Sequence, residues 1–410
     1  MNVLYPRCCG LDVHKASISA CILINGPGGK EHYLRRFGTM THEIGGLSDW
    51  LAARGVTKLA MESTGVYWKP IWNLLEGRFE LTLVNAQHIK TVPGRKTDMK
   101  DCEWIAELLQ HGLLRGSFVP PEHVRELRDL NRNRTILMQQ RAAVSNRIEK
   151  VLEDANIKLA SVASHVLGQS GRSMLKAMVD GISEPVRLAG MARAKLRNKI
   201  PQLCLAFNGR FEERHRFQMR VLLDQLTFLD TKVAEFDQQI ETRSRPFHDQ
   251  IELLITIPGV DRITANSMIA EIGGDMSQFP TAQHLASWAG ICPGNNESAG
   301  KQYSGKTRKG SRWLRRVLCQ AAWAASHTKK TYLAAQFRRL AAKRGKQRAI
   351  IALAHSILVS AFYMLKHNEA YREAGGDYFE RANPAALQRY LIRRLECLGH
   401  KVTLEPATTA

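Results

Sequence analysis

Cys9-Gly-Leu-Asp-Val13 and, four residues on, Ser17-Ile-Ser-Ala-Cys-Ile-Leu-Ile24 read as a pair of β-strands leading into the turn Gly26-Pro27-Gly28-Gly29. Apolar and polar residues alternate as a half-buried strand requires, and the Gly/Pro cluster supplies the punctuation. Tyr33 to Phe37 follows as a third strand. Thr41 to Arg54 changes to helical spacing through Ile44, Leu47 and Leu51, and Lys58-Leu-Ala-Met-Glu62 returns as a buried strand. Tyr67 to Leu75 is helical and Leu81 to Asn85 is extended. A last apolar helical pattern runs through Trp104, Ile105, Leu108 and Leu109. Three strands, helix, strand, helix, strand, helix is an α/β order.

That order puts Asp12 on the first strand and Glu62 at the end of the fourth, and in an RNase H-like sheet those strands are neighbours. The last helix is preceded by Pro93-Gly-Arg-Lys-Thr-Asp-Met-Lys-Asp101, in which Asp98 and Asp101 stand three residues apart. Residues at that spacing share a helix face. Lys96 and Lys100 flank them and suit a phosphate ligand. Asp12, Glu62, Asp98 and Asp101 would then form one cluster of carboxylate oxygens, the donors that Mg²⁺ takes, for phosphoryl chemistry. The competing reading is a solvated first turn, where acids are favourable for electrostatic reasons alone. His14 shares a strand face with Asp12 and reads as a core or surface histidine.

The 410 residues suggest two or three domains. A hydrophobic content of 44% with 24% charged residues suits a soluble globular chain. The formal net charge of +21 and a pI near 9.8 call for a polyanionic partner, first of all nucleic acid. Eight cysteines are scattered without a C-x-x-C pair, which excludes a zinc ribbon on spacing and argues for a reducing compartment. The first nine residues lack the apolar core of a signal peptide. The apolar run Ala349 to Leu365 is short for a membrane span and contains His355, Ser356 and Ser360, so a buried core helix is expected and no membrane partner. These features together read as a cytoplasmic protein.

In the middle of the chain, Leu130, Arg134, Leu137, Arg141, Val144, Ile148, Val151 and Ala155 alternate in steps of four and three, a heptad seam interrupted by two arginines. Leu222, Leu226, Leu229, Val233, Phe236 and Ile240 form a second seam. An antiparallel coiled-coil arm is expected, paired either within one chain or between two. The basic residues between the seams, Arg193, Lys195, Arg197 and Lys199, read as a solvated face.

Further on, Leu253 to Gly273 reads as helix, Pro258-Gly259-Val260 turn, helix, which resembles a helix-hairpin-helix or a plain αα-hairpin. In the former, backbone N–H groups near Gly259 would hold DNA phosphates. Cys292 to Gly310 is a Gly- and Asn-rich loop containing Gly300-x4-Gly305-Lys306-Thr307, formally a Walker A pattern. A polar loop precedes it and Gly310 interrupts the residues after it, where a P-loop would open directly into a helix. It is therefore not read as a P-loop. The loop does offer Ser298 and Ser304 among Lys301, Lys306, Arg308 and Lys309. A serine among cations suits attack on a phosphodiester. Arg312, Arg315 and Arg316 share a face of the next helix, and Arg338, Arg339, Lys343, Arg344, Lys346 and Arg348 form a second basic cluster. Both read as phosphate-tracking surfaces. A small helix, Pro384 to Leu398, and a tail expected to be disordered end the chain.

With these motifs in hand, the chain resembles the transposases of the insertion sequence 110 family, the DEDD recombinases. The resemblance runs from Cys9-Gly-Leu-Asp-Val-His-Lys15 to about Phe379. It is carried by Met61-Glu-Ser-Thr-Gly-Val-Tyr-Trp68, Val92 to Asp101, Ile257-Pro-Gly-Val260, Trp288-Ala-Gly-Ile-Cys-Pro-Gly294 and Glu297-Ser-Ala-Gly-Lys301. It implies an α/β plus α architecture: an RNase H/RuvC-like domain (1–118), a coiled-coil helical region (119–250), a mostly helical transposase domain with a helix-hairpin-helix (251–368) and an extension (369–410). It also implies that Asp12, Glu62, Asp98 and Asp101 bind Mg²⁺ and that Ser298 forms a phosphoserine link to DNA, with Ser304 second. Implied partners are donor and target DNA, a structured guide RNA encoded beside the gene and further copies of the chain. The implied setting is a prokaryotic cytoplasm, at the nucleoid. An RNA guide would account for the lack of a base-reading motif, because pairing then reads the sequence. Two alternatives stand beside this reading: a RuvC-like junction nuclease using water, and a non-catalytic nucleic-acid-binding protein.

Overall fold

The computed structural model describes residues 3–26, 29–63, 65–85, 101–292, 296–298, 301–304, 307 and 310–404. The chain divides into two compact units, Met1–Val119 and Pro120–Ala410.

The first unit is built on five strands: β1 (Arg7–Val13), β2 (Ile18–Gly26), β3 (Gly29–Phe37), β4 (Lys58–Glu62) and β5 (Glu80–Val84). Their order across the sheet is β3-β2-β1-β4-β5. The first three are antiparallel neighbours, whereas β4 runs parallel to β1 and β5 parallel to β4. Parallel neighbours need crossovers. The chain supplies α1 (Thr41–Ala52) before β4 and α2 (Trp68–Leu75) before β5. Period-2 alternation then sorts the side chains. Cys9, Leu11, Val13, Leu59 and Met61 face Ile44, Leu47, Leu51, Ile71 and Leu75 in one core. Cys8, Cys21, Ala60 and Val84 face the other way, onto Cys102, Ile105, Ala106 and Leu109 of α3 (Asp101–Gln110).

Gly10 sits at the centre of that second face. A Cβ there would lie 2.2 Å from the carbonyl oxygen of Cys102 and 2.4 Å from the nitrogen of Ala106. Only glycine lets α3 ride this close to β1. Four cysteines, Cys8, Cys9, Cys21 and Cys102, are buried in the first unit, and all eight thiols of the chain are free. Burial pushes the thiols of Cys8 and Cys21 up to about 12.

In the second unit two long helices, α4 (Glu122–Asp154) and α9 (Glu213–Ser244), lie against each other. Glu126 meets Arg243, Arg134 meets Asp237, Arg141 meets Asp230 and Asp154 meets His215. One index rises while the other falls, so the pairing is antiparallel and lies within one chain. The two arginines that break the first seam each find an aspartate on the facing helix. Short helices α5 (Leu159–Val162), α6 (Gln169–Val179), α7 (Pro185–Gly190) and α8 (Ile200–Ala206) complete a core with Val144, Ile148, Leu226 and Leu229.

The rest is a helical assembly of α10 (His248–Ile255), α11 (Arg262–Ile272), α12 (Ala282–Trp288), α13 (Arg312–His327), α14 (Tyr332–Arg344) and α15 (Lys346–His367), with a hairpin of β6 (Asn296–Ser298) and β7 (Lys301–Ser304). Among the described residues α15 alone has the length and composition to cross a membrane. Its Leu353, Ala354, Ile357, Leu358, Ala361 and Phe362 instead fill the core against α10, α12, α13 and α14. After it come α16 (Tyr378–Ala382) and α17 (Pro384–Cys397).

Candidate active site

Two of the four expected carboxylates stand on the α3 face of the sheet. The last paired residues of β1 and β4 are Leu11 and Met61. One step further along each strand come Asp12 and Glu62, turned by the pleat to the opposite side from those two core residues. Both are partly buried, Asp12 with a side chain 17% exposed. Asp101 is exposed in the first turn of α3. Burial, the Glu103 charge and the Asp12 charge together push the Cys102 thiol up to about 11. The field of Asp12 therefore reaches the turn in which Asp101 sits. His14, read from sequence as a core or surface residue, places Nε2 3.1 Å from Asp12 Oδ2.

Asp98, Lys96 and Lys100 lie outside the described residues. Among the described residues no three His, Cys, Asp or Glu side chains converge on a point that would hold a metal ion. What Asp12 and Glu62 do supply is hard oxygen donors on two neighbouring strands, with Asp101 exposed in the first turn of the helix packed over the sheet. That donor chemistry fits a divalent cation of the Mg²⁺ type.

In the second unit, the loop expected between Cys292 and Gly310 contains the β6–β7 hairpin. Ser298 ends β6 and pairs with Lys301, the first residue of β7, while Ser304 pairs with Asn296. This bears on the Walker A pattern, because β7 occupies the four residues between Gly300 and Gly305. In a P-loop those residues wrap a phosphate with their N–H groups instead of pairing in a ladder. Lys306, Arg308 and Lys309 lie outside the described residues. The segment is tied to α13, whose Arg315 donates Nη2 to Thr307 Oγ1 at 2.6 Å. Arg312 and Arg316 are exposed, Arg312 lying over the Trp313 ring at 4.9 Å.

Gly259 occupies the turn between α10 and α11 with φ of +85°, and a Cβ there would lie 2.4 Å from the nitrogen of Ala325 on α13. Packing alone thus requires glycine. The N-terminus of α11 is capped by Asp261, whose carboxylate accepts from the Thr264 N–H at 2.8 Å. An anion is already in place where a phosphate would sit.

Sequence reasoning missed a buried ionic node beside this segment. Glu271 of α11 is 3% exposed. It pairs with Arg132 of α4 and accepts from Ser311, whose hydroxyl also caps α13 by accepting from Leu314 N–H. Arg128 donates to the carbonyls of Ala270 and Glu271, closing the end of α11. Burial pushes Arg128 down to about 10, which leaves it charged at neutral pH. The available signal was an acid inside the otherwise apolar run Met268-Ile-Ala-Glu-Ile272.

Comparison with known proteins adds two family matches. Residues 9–157 match a DEDD-type IS110 model described as a transposase, and residues 251–338 match the transposase family IS116/IS110/IS902. The transposase for insertion sequence element IS1111A of Coxiella burnetii is 23% identical over 300 residues, 71% of this chain and 72% of that protein. An uncharacterized 42 kDa protein of insertion element IS900 from Mycobacterium paratuberculosis is 31% identical over 37% of this chain and 38% of its own length. The pilin gene-inverting protein of Moraxella bovis is 27% identical over 36% and 45%. The alignments with the last two span less than half of those proteins.

Proposed function

The chain belongs to the insertion sequence 110 family of transposases, and from that premise we propose that it cuts and rejoins DNA through a phosphoserine on Ser298, assisted by Mg²⁺. The observation that carries the metal half is the placement of Asp12 and Glu62 on adjacent parallel strands, facing the helix that begins at Asp101. The strand order β3-β2-β1-β4-β5 supports an RNase H/RuvC-like reading of the first unit. Asp12, Glu62, Asp98 and Asp101 would hold the cation. Bound there, Mg²⁺ would neutralise charge on a scissile phosphate.

The match over residues 251–338 and the cations near Ser298 in the sequence support the serine half. The Ser298 oxygen bonds to phosphorus as its hydroxyl proton leaves. The bond to the departing sugar oxygen breaks, and that oxygen takes up a proton. The new DNA end stays on the protein as a phosphoserine until a sugar hydroxyl from another strand attacks phosphorus and releases the serine. Lys301, Lys306, Arg308, Lys309, Arg312, Arg315 and Arg316 would hold flanking phosphates, with Lys96 and Lys100 doing so in the first unit. Gly259 we assign to packing against α13 rather than to a helix-hairpin-helix contact. A structured guide RNA, donor and target DNA and further copies of the chain complete the proposed assembly, in the cytoplasm at the nucleoid.

The test is the full chain with element-encoded RNA, Mg²⁺ and labelled donor and target DNA, run on a denaturing protein gel. A labelled band at protein size, absent in Ser298→Ala, is the expected result. Cleavage that persists in Ser298→Ala but disappears in Asp98→Ala would replace this mechanism by a metal-dependent nuclease using water. Binding without cleavage, indifferent to Mg²⁺, would leave a non-catalytic binding protein.

A further inference from the structure

Between α14 and α15 runs an open groove of about 1410 Å³. Arg315, Arg339, Lys343, Arg344 and Arg348 line it, and no carboxylate does. Among the described residues none of these five cations reaches an acid. The arm and α6 behave in the opposite way, since Arg134, Arg141 and Arg172 are each laid on an aspartate. Cations left without counter-charges along one channel create a field that draws in a phosphodiester chain.

The groove has a polar floor as well as a charged rim. Gln336 donates Nε2 to Ser356 Oγ at 3.0 Å, and Ser356 donates on to the carbonyl of Ala352 at 3.2 Å. Gln336 Oε1 is buried with no hydrogen-bond partner. Beside it stands half-buried His355, whose pKa burial lowers, so it is a neutral ring able to exchange hydrogen bonds. An orphaned amide oxygen beneath a channel of cations is an acceptor waiting for an N–H from a ligand.

One wall comes from the C-terminal extension. Glu373 accepts from the N–H groups of Tyr332 and Gly375 at 2.7 and 2.8 Å, fastening the extension to the start of α14. Phe379 then stacks on Tyr332 at 5.3 Å, with the Arg339 guanidinium 4.8 Å above its ring. The groove thus combines cations, aromatic surface and hydrogen-bonding groups, the set used to hold single strands.

We propose that this groove binds an unpaired stretch of nucleic acid, its phosphates along the Arg339 to Arg348 rim and one base turned inward onto Gln336, His355 and Ser356. The inference rests on reading the protein as acting on nucleic acid and adds to it a site for an unstacked nucleotide. A duplex presents a convex row of phosphates, which meets the rim and leaves its base edges away from the floor. A nucleotide freed from pairing can swing its edge down between the two helices. Either a ribose or a deoxyribose strand offers this chemistry.

The experiment is fluorescence anisotropy on full-length protein with labelled strands of about 15 nucleotides. RNA, DNA of the same sequence and the matching duplex are compared. Gln336→Leu/Ser356→Ala should weaken single-strand binding about tenfold and change duplex binding less than about twofold. Gln336→Met alone, close in length and without an amide acceptor or a net charge, should do the same if the double variant unfolds. Arg344→Ala should weaken every probe and reduce the salt slope by about one. Tighter binding of RNA or of DNA identifies which strand occupies the groove. Floor variants that bind single strands like the wild type, or that lose single strand and duplex equally, would overturn the proposal. The same titrations on Ser298→Ala separate it from the recombinase chemistry, because a failed cleavage mechanism leaves them intact.

Discussion

Arg132 lays Nε and Nη2 on the two carboxylate oxygens of Glu271, at 2.7 and 2.8 Å, and so fastens α4 to α11. The geometry is a two-pronged fork in a site where the glutamate side chain is 4% exposed. Ser311 adds a third hydrogen bond, which links the pair to the start of α13.

Breaking that pair from one side leaves a buried charge alone. Glu271→Ala should cost about 3 kcal/mol of unfolding free energy, the low end for a buried pair because Arg132 retains some contact with water. Urea unfolding of the full chain measures it. A loss below about 1 kcal/mol would mean that water reaches the site freely.

Acid should weaken the second unit through Asp230. Burial acts to raise its pKa, but hydrogen bonds from Arg141 and Arg172 outweigh that and hold it below the ordinary carboxylate range. With a folded pKa below the unfolded one, its stabilisation is present above roughly pH 4 and is lost as pH falls through the lower folded value. Asp230→Asn should be less stable than wild type at neutral pH, and the difference should shrink in acid. Parallel denaturation curves at the two pH values decide it.

Gly10→Ala tests how closely α3 must approach β1. A methyl group 2.2 Å from the Cys102 carbonyl forces the helix outward. A loss of about 3 kcal/mol is expected from overpacking. Melting temperature reports this directly, and under the proposed mechanism DNA cleavage measured below Tm should fall as well, because Asp101 moves with the helix.

The seam arginines differ from Glu271 in exposure. Arg134 has a side chain 14% exposed, whereas its partner Asp237 is 45% exposed. Arg134→Ala should cost about 1 kcal/mol, and Arg134→Met with Asp237→Leu should recover it or better by packing the seam. Thermal melts of the three proteins test the pair.

Much of the first unit could be read directly. Lys58 to Glu62 is a strand with the predicted ends because an apolar run bounded by loop residues leaves little choice. The neighbouring of β1 and β4, expected of an RNase H-like sheet, is observed. The arm was legible as two seams, but Asp237 and Asp230 carried no local signal, since charge pairing across helices depends on register. The β6–β7 hairpin was hidden by its Gly- and Asn-rich composition, and the α5 to α8 helices by their shortness. Glu271 escaped because burial of an acid is a tertiary fact. Asp98, Lys96 and Lys100 fall outside the described residues, and for Ser298 the structure supplies backbone pairing alone.

The four thiols sealed between the sheet and its helices give the first unit a chemical clock. The thiolate is the nucleophile that attacks an alkylating reagent, and burial keeps Cys8, Cys9, Cys21 and Cys102 protonated, whereas Cys397 on α17 is exposed. Cys397 should therefore be alkylated first, and the N-terminal four only as fast as the layers covering them open. For Cys8, Cys21 and Cys102 the slow phase times the separation of α3 from β1, the parting that would carry Asp101 away from Asp12 and Glu62, whereas Cys9 reports the opposite layer.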